Sequence, residues 1–490
     1  MARRNRINYR MLVRVMGWLV MIEAVFMAVP LATAFFYGED DALAFEVGLA
    51  VTAVTGAGMT FFSRPRRSEM GKREGFLLTA LVWVIFSLFG MIPFIVSEVP
   101  VNLSEAFFES MSGFTTTGVS VMENIDNVSH AIHMWRSLMQ WIGGMGIILF
   151  TLAVLPMLNS SGGMQMFNAE TTGIRSEKLR PRVSSTAKRL WLVYALLTLA
   201  LVLLYMFGPM NTFDSICHAL STMSTGGFST HQASIGTWDS LYVKIVTTLF
   251  MFVGGVNFAL IFKASTGEFR SAWSNEVFRM YVKVIFVLFI LFDLALVSGS
   301  GIQLTVEALT IDPLFQIIST ISSTGYAVAN LSDWGLFILS LIFVMMFFGA
   351  CAGSTSGGAK LDRAIYLFKN SRNELYRCIY PNHILSVGIN GKTMAPEVIN
   401  KVMVFLWLYV IVIVAGGMAL AAMDVPLVDS FFASFSCVSN TGLAPEITGY
   451  GGQFNLIPDL GKWVLSFLML TGRLEVFTVL VLFAPGFWHK

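Results

Sequence analysis

Charge is what this 490-residue chain has least of: Asp, Glu, Lys and Arg make up 13% of it, against about one quarter in soluble globular domains. With 55% of its residues hydrophobic, the chain is excluded from the ordinary soluble classes and has the lipid bilayer as its solvent. Cysteine is scarce as well. Cys217, Cys351, Cys378 and Cys437 stand singly with no CxxC spacing, which excludes a disulfide framework and a cysteine metal site. His130, His133, His218, His231, His383 and His489 form no HExxH-like cluster and have no acid or base at useful spacing, so an enzyme's catalytic constellation is missing. There is also no GxGxxG after a strand, no GxxxxGK[ST] and no aspartyl-phosphorylation motif. The chain therefore shows no nucleotide site of its own, and nothing in it points to nucleic acid.

What it has instead is long apolar runs, at about 11–36, 42–62, 76–97, 135–156, 189–208, 239–262, 277–298, 335–350, 402–423 and 462–485. Most are long enough to cross about 30 Å of hydrocarbon, so the expectation is an all-α polytopic membrane protein with ten transmembrane helices. The first run is too long for a signal-peptide core and follows Arg3, Arg4, Arg6 and Arg10, which reads as a retained helix. Of the 32 Lys and Arg, 28 fall in 1–14, 63–74, 157–190, 262–283, 359–401 and Lys490, all on one side if every run crosses once. Both termini are then expected in the cytoplasm. The other side holds Glu39, Asp40, Asp41, Glu105, Glu109, Asp214, Asp312, Asp429 and Asp459. That acidity fits either the positive-inside bias alone or a face that concentrates cations near a pore mouth.

The segments between paired helices are too long for turns and too apolar for ordinary loops, and four of them align without gaps. They read FFESMSGFTTTGVS from Phe107, ICHALSTMSTGGFS from Ile216, LFQIISTISSTGYA from Leu314 and FFASFSCVSNTGLA from Phe431. Each is a short apolar helix-like stretch, then small polar residues, then Gly118, Gly227, Gly325 or Gly442. A small-residue step follows in the next helix: Gly143-Gly144, Gly254-Gly255, Gly349-Ala350 and Gly472. Non-helical backbone at membrane depth is tolerated only where protein buries it or it lines a wet cavity, so four such loops argue for one shared aqueous axis. Rings of backbone carbonyls from Thr/Ser-Gly loops can replace the hydration shell of a potassium ion. The predicted ion-binding residues are Thr116, Thr117 and Gly118; Thr225, Gly226 and Gly227; Ser323, Thr324 and Gly325; and Asn440, Thr441 and Gly442. The hydroxyls there, with those of Ser224 and Ser439, either coordinate the ion or hold the loop in shape. The second loop departs from the pattern, because Gly226 leaves it one side chain short.

These four loops, with WIGGMGIILF at Trp141, GACAGSTSGGAK at Gly349 and TGRLEVF at Thr471, resemble the Trk/Ktr/HKT superfamily of potassium transporters, most closely its bacterial TrkH type. The resemblance implies four pseudo-symmetric helix/pore-loop/helix repeats around one pore, over 71–175, 176–270, 271–380 and 381–490, behind two N-terminal helices in 1–70. It implies potassium selectivity from a glycine in every loop, whereas serine in the first loop goes with sodium-permeable plant members. It also implies a potassium uptake protein of the bacterial inner membrane, a homodimer, and a cytosolic nucleotide-binding regulatory ring of the TrkA kind. The basic segments 157–190 and 359–401 are where such a ring would dock, unless positive-inside bias alone explains them.

Gly349, Gly353, Ser354, Thr355, Ser356, Gly357 and Gly358 interrupt the helix after the third loop. By resemblance this stretch is an intramembrane gating loop; by itself it also fits a helix ending early at a Gly-rich cap. Arg473, near mid-bilayer in the last run, projects into the pore by resemblance, and a buried pair with Glu475 is the alternative. Asp293, an acid inside a predicted helix, is either a proton site or a structural group. Channel-like flow, proton or sodium coupling, and service as the ion-binding subunit of an ATP-driven potassium pump all remain compatible with this sequence.

Overall fold

A helix of 12 residues rises about 18 Å, too little to cross a bilayer, and two of the four aligned stretches form helices of that length. A computed structural model describes residues 7–63, 71–100, 102–146, 183–299, 305–383, 385–443 and 454–488. In it the short middle helices are Leu103–Phe114, Thr212–Met223, Val306–Ile321 and Leu427–Ser439. Each follows a longer helix, respectively Lys72–Gly90, Val183–Met206, Glu276–Gly299 and Pro396–Ala421. Each is followed, after its loop, by His130–Gly144, Leu241–Gly254, Leu336–Phe348 or Asp459–Arg473. The helices Tyr9–Tyr37 and Ala42–Phe62 pack on each other ahead of this fourfold pattern and lean on its first unit.

The middle helices start where the sequence supplies acids for the positive end of the helix dipole: Glu105, Asp214, Glu307 and Asp429 all lie in first turns. Asn211 and Thr305 add side-chain caps, accepting from the N–H groups of Asp214 and Ala308. All four run directly into their polar loops, so each loop begins at the partly negative C-terminal end of its helix.

The long helices turn apolar side chains outward, while beside the apolar core a set of small polar side chains is buried around the four loops. Leu192, Leu196, Leu199 and Leu203 line the exposed face of Val183–Met206 at helical spacing, as Phe286, Ile290, Leu294 and Val297 do on Glu276–Gly299. Meanwhile Ser110, Ser112, Thr115, Thr117, Ser221, Thr222, Ser319, Thr320, Ser434 and Ser436 have no exposure at all. Lipid can solvate the first set and only protein or a wet axis the second.

Ten crossings were expected; among the described residues six helices are long and apolar enough to cross, or eight if each bent pair counts as one span. The runs at 239–262 and 462–485 are not straight. Leu241–Gly254 turns into Phe258–Ser265 through 106°, and Asp459–Arg473 into Phe477–Phe483 through 115°. Asn257 caps the new helix at the first break, and at the second Glu475 and Val476 take left-handed φ of 53° and 52°. The run at 335–350 stops as a helix at Phe348, and that at 135–156 stops at Gly144, with residues from 147 on outside the described set.

Candidate functional site

Four loops of different sequence share one backbone path. Thr116, Thr225, Ser323 and Asn440 have φ of 55°, 52°, 54° and 51°, and two residues later Gly118, Gly227, Gly325 and Gly442 have 82°, 80°, 79° and 79°. Left-handed φ at the glycines costs no side-chain clash, while the four residues before them are held there by the surrounding structure. One bond repeats at the base of each loop: the N–H groups of Thr117, Gly226, Thr324 and Thr441 donate to the carbonyls of Ser112, Ser221, Ser319 and Ser436 at 2.9–3.0 Å.

The glycines also close a ring. A Cβ on Gly118 would lie 2.0 Å from Gly226 O, on Gly227 1.9 Å from Thr324 O, on Gly325 2.1 Å from Thr441 O, and on Gly442 2.2 Å from Thr117 O. Each glycine therefore abuts the carbonyl just ahead of the next loop's glycine, and the fourth loop returns to the first. Any side chain at these positions would push two loops apart.

The small-residue steps have the same cause. A Cβ on Gly143 would sit 1.8 Å from Phe114 O and one on Gly472 2.0 Å from Val438 O, so the helix after each of these loops touches the end of its middle helix. Gly254 faces Thr225 Cγ2 at 3.0 Å, whereas Gly349 meets Gly357 O at 2.6 Å, within its own irregular segment.

Of the two roles open to the hydroxyls, bracing is the one with visible partners. Thr115 pairs with Thr117 at 2.8 Å, Ser322 with Thr324 at 2.7 Å and Ser439 with Thr441 at 2.8 Å. The second loop has Gly226 where the other three carry threonine, and Gln140 enters that space. Its Nε2 donates to Gly226 O at 2.7 Å and its Oε1 accepts from Phe228 N at 3.1 Å. Asn440 joins the fourth loop to the first, donating to Thr117 Oγ1 at 2.8 Å and to Met469 O at 3.0 Å. Sequence reasoning singled out Asn440 and missed Gln140, for which the short second loop was the one available signal.

The interrupted segment after Phe348 is both an early helix end and a crosslink. Gly349 ends the helix with φ 62° and ψ −170°. Cys351 N then donates to Gly255 O at 3.1 Å, and Asn257 Nδ2 to Ala352 O at 2.7 Å. Gly353 packs against Asn257, Ser354 bonds Ser356 at 2.9 Å, and Thr355 N donates to Gly254 O at 3.4 Å. Gly357 N donates to Ser323 Oγ at 2.6 Å, and Gly358 N to Ser439 O at 2.9 Å. The stretch thus touches the second unit's last helix and the third and fourth loops.

Arg473 reaches it from another side. This residue is the last of its helix, and its Nη1 donates to Thr355 O at 3.0 Å while Nη2 donates to Gly143 O at 2.5 Å and Gly144 O at 3.0 Å. The guanidinium ties the first unit to the interrupted segment. Glu475 pairs with Arg363. Asp293 lies half-buried in Glu276–Gly299, away from the loops in sequence, with an Oδ1 that finds no partner among the described residues.

Behind the first two loops lies an ion pair whose partners, 27 residues apart, only the fold brings together. Arg136 and Glu109 are 1% and 0% exposed and bonded at 2.8 Å. Glu109 also accepts from Ser120 Oγ and Val121 N, while Arg136 donates to Ser229 O and stacks on Phe228 at 4.1 Å. The pair holds the segments that leave the first and second loops.

Known proteins share this architecture. The chain is 36% identical to the Trk system potassium uptake protein TrkH of Escherichia coli K12, over 99% of this chain and all of that protein. It is 30% identical to the Trk system potassium uptake protein TrkG of the same strain, over 99% of this chain and all of that one. The crystal structure of the potassium transporter TrkH from Vibrio parahaemolyticus superposes with a TM-score of 0.89 at 32% identity, covering 99% of this chain and all of that one. The family model for TrkH, a cation transport protein, matches residues 43–490, and with relatives this similar along their whole length the chain belongs to the TrkH family of cation transport proteins.

Proposed function

We propose that the chain carries potassium into the cell across the bacterial cytoplasmic membrane, through one pore whose filter is the ring of Gly118, Gly227, Gly325 and Gly442 with the polar residues ahead of them. The closed glycine-to-carbonyl ring carries this reading, because four carbonyl-bearing strands in mutual contact are what a dehydrated cation needs. The C-terminal ends of the middle helices, where the loops begin, add negative potential at the same place. Potassium is the ion in the names of the relatives, and here it is the transported substrate.

The gate in this reading is the 349–358 segment with Arg473. What supports it is the bonding of that segment to two loops at once and the fixed positive charge bonded to it from the first unit. The four repeats, with both termini in the cytoplasm, follow the fourfold helix pattern and the basic segments. A homodimer with a cytosolic nucleotide-binding subunit is part of the same reading. The exposed Phe368, Leu375 and Ile379 on the basic helix Leu361–Ile379 offer such a subunit a surface.

Flux measured in proteoliposomes containing only this chain tests the proposal. Potassium should enter down its own gradient and sodium should enter far more slowly; equal rates for the two ions would overturn it. Arg473→Gln should raise potassium flux, since the tie between Gly143 and Thr355 and the charge both disappear, and unchanged flux would remove Arg473 from the gate.

A further inference from the structure

The first, third and fourth loops carry the same internal brace, and the second cannot. A hydroxyl three residues ahead of the glycine bonds a threonine hydroxyl one residue ahead of it in Thr115–Thr117, Ser322–Thr324 and Ser439–Thr441. In the second loop Ser224 keeps its backbone bonds to Leu220 O and Ser221 O, but Gly226 gives it no hydroxyl to meet. The peptide leading into Gly227 would then be the least constrained part of the ring, flanked by two glycines.

Gln140 occupies the missing side chain's place. A Cβ on Gly226 would lie 2.4 Å from Gln140 Cδ, 2.5 Å from Oε1 and 2.8 Å from Nε2. The amide is fully buried and bonds both sides of the turn, donating to Gly226 O and accepting from Phe228 N. Gly226 O is also the carbonyl that Gly118 abuts, so the amide fixes the atom through which the first and second loops touch. A carbonyl oxygen has two lone pairs, so this bond leaves one for an ion. Gly226 itself is absent from the residues with positive φ, as are Thr117, Thr324 and Thr441 at the matching positions, so nothing in the backbone demands glycine there. What a side chain there would displace is the Gln140 amide.

We infer that Gln140 is a positioning residue for ion selectivity, a side chain lent by the first repeat that sets the carbonyl geometry of the second loop in place of the absent hydroxyl brace. The inference rests on the reading of these loops as the filter. Gln140 and Gly226 form one exchangeable unit: either a glutamine with a glycine, or a small residue with a threonine.

The test is a two-by-two set of variants in proteoliposomes, read as the ratio of potassium to sodium permeability. Gln140→Ala should lower the ratio by about fivefold or more, the worth of one buried hydrogen bond. Gly226→Thr alone should lower flux, because its Cβ meets the amide and Gln140 must swing away from Gly226 O and Phe228 N. The double variant Gln140→Ala with Gly226→Thr should bring the ratio back toward the wild-type value, the introduced hydroxyl pairing with Ser224. A wild-type ratio in Gln140→Ala overturns the inference, and so does a double variant no more selective than Gln140→Ala. If Gln140→Ala does not fold, a folded and selective double variant still supports it, and a double variant that also fails to fold overturns it. Gly118→Ser separates the two levels of the argument. If that change lowers the ratio and Gln140→Ala does not, only the role of Gln140 falls; if Gly118→Ser leaves the ratio unchanged, the filter reading falls with it.

Discussion

Arg136 is one of four basic residues outside the basic segments, and it is buried to 1% against a carboxylate with no exposure. Removing one partner of such a pair costs about 3–5 kcal/mol, because the other is left as an uncompensated buried charge. Arg136→Met should therefore lower the thermal midpoint of the detergent-solubilised protein sharply, and Glu109→Gln added to it should recover most of the loss. A double variant as unstable as Arg136→Met would show that Glu109 is held by Ser120 and Val121 and not by the ion pair. The same residue-scale logic separates the glycines: Gly118, Gly227, Gly325 and Gly442 are forced by φ and by contact, whereas Gly226 makes room for a neighbour's side chain.

Between elements, the interfaces of the four units are not equivalent. Thirteen residues ahead of each ring glycine stands an acid: Glu105, Asp214, Asp312 and Asp429. Ten residues ahead of each small-residue step stands His133, Lys244, Leu339 or Lys462. Lys244 bonds Asp312 at 2.8 Å and Glu307 at 2.7 Å, and Lys462 bonds Glu105 at 2.7 Å, so two interfaces are closed by lysine from one unit and an acid from the next. At the interface of the third and fourth units Leu339 replaces the lysine, and Asp429 keeps a buried Oδ2 that finds no partner among the described residues. Aromatic contacts hold that interface instead, Phe343 with Phe432 and Phe435 at 4.9 and 4.5 Å, and Phe347 with Phe435 at 6.3 Å. Leu339→Lys should raise the thermal midpoint by completing the pair, and adding Asp429→Asn should cancel the gain. A midpoint that falls with Leu339→Lys and is indifferent to Asp429→Asn would show that the ammonium cannot reach the acid.

For the whole molecule, orientation is the decisive question, and one native side chain answers it. Cys378 is exposed near the end of the basic helix Leu361–Ile379, while Cys217, Cys351 and Cys437 are buried. A membrane-impermeant maleimide should label the protein in inside-out vesicles and not in intact cells. Labelling in intact cells that Cys378→Ser abolishes would reverse the proposed topology.

Much of this was legible in one dimension. Lipid solvation demands long apolar runs, helix dipoles favour first-turn acids, and a backbone turn at φ near 80° demands glycine, so FTTTG and its three counterparts can be read wherever they stand. What only the tertiary structure decided depends on groups that meet across dozens to hundreds of residues: Gln140 at Gly226, Asn440 at Thr117, Arg473 between Gly143 and Thr355, and Arg136 with Glu109. The bends at 255–257 and 474–476, which reduce the expected number of straight spans, belong with them. Apolarity fixes how much chain the membrane can solvate, but the path of that chain is set by where its backbone finds partners, and those partners lie in other repeats.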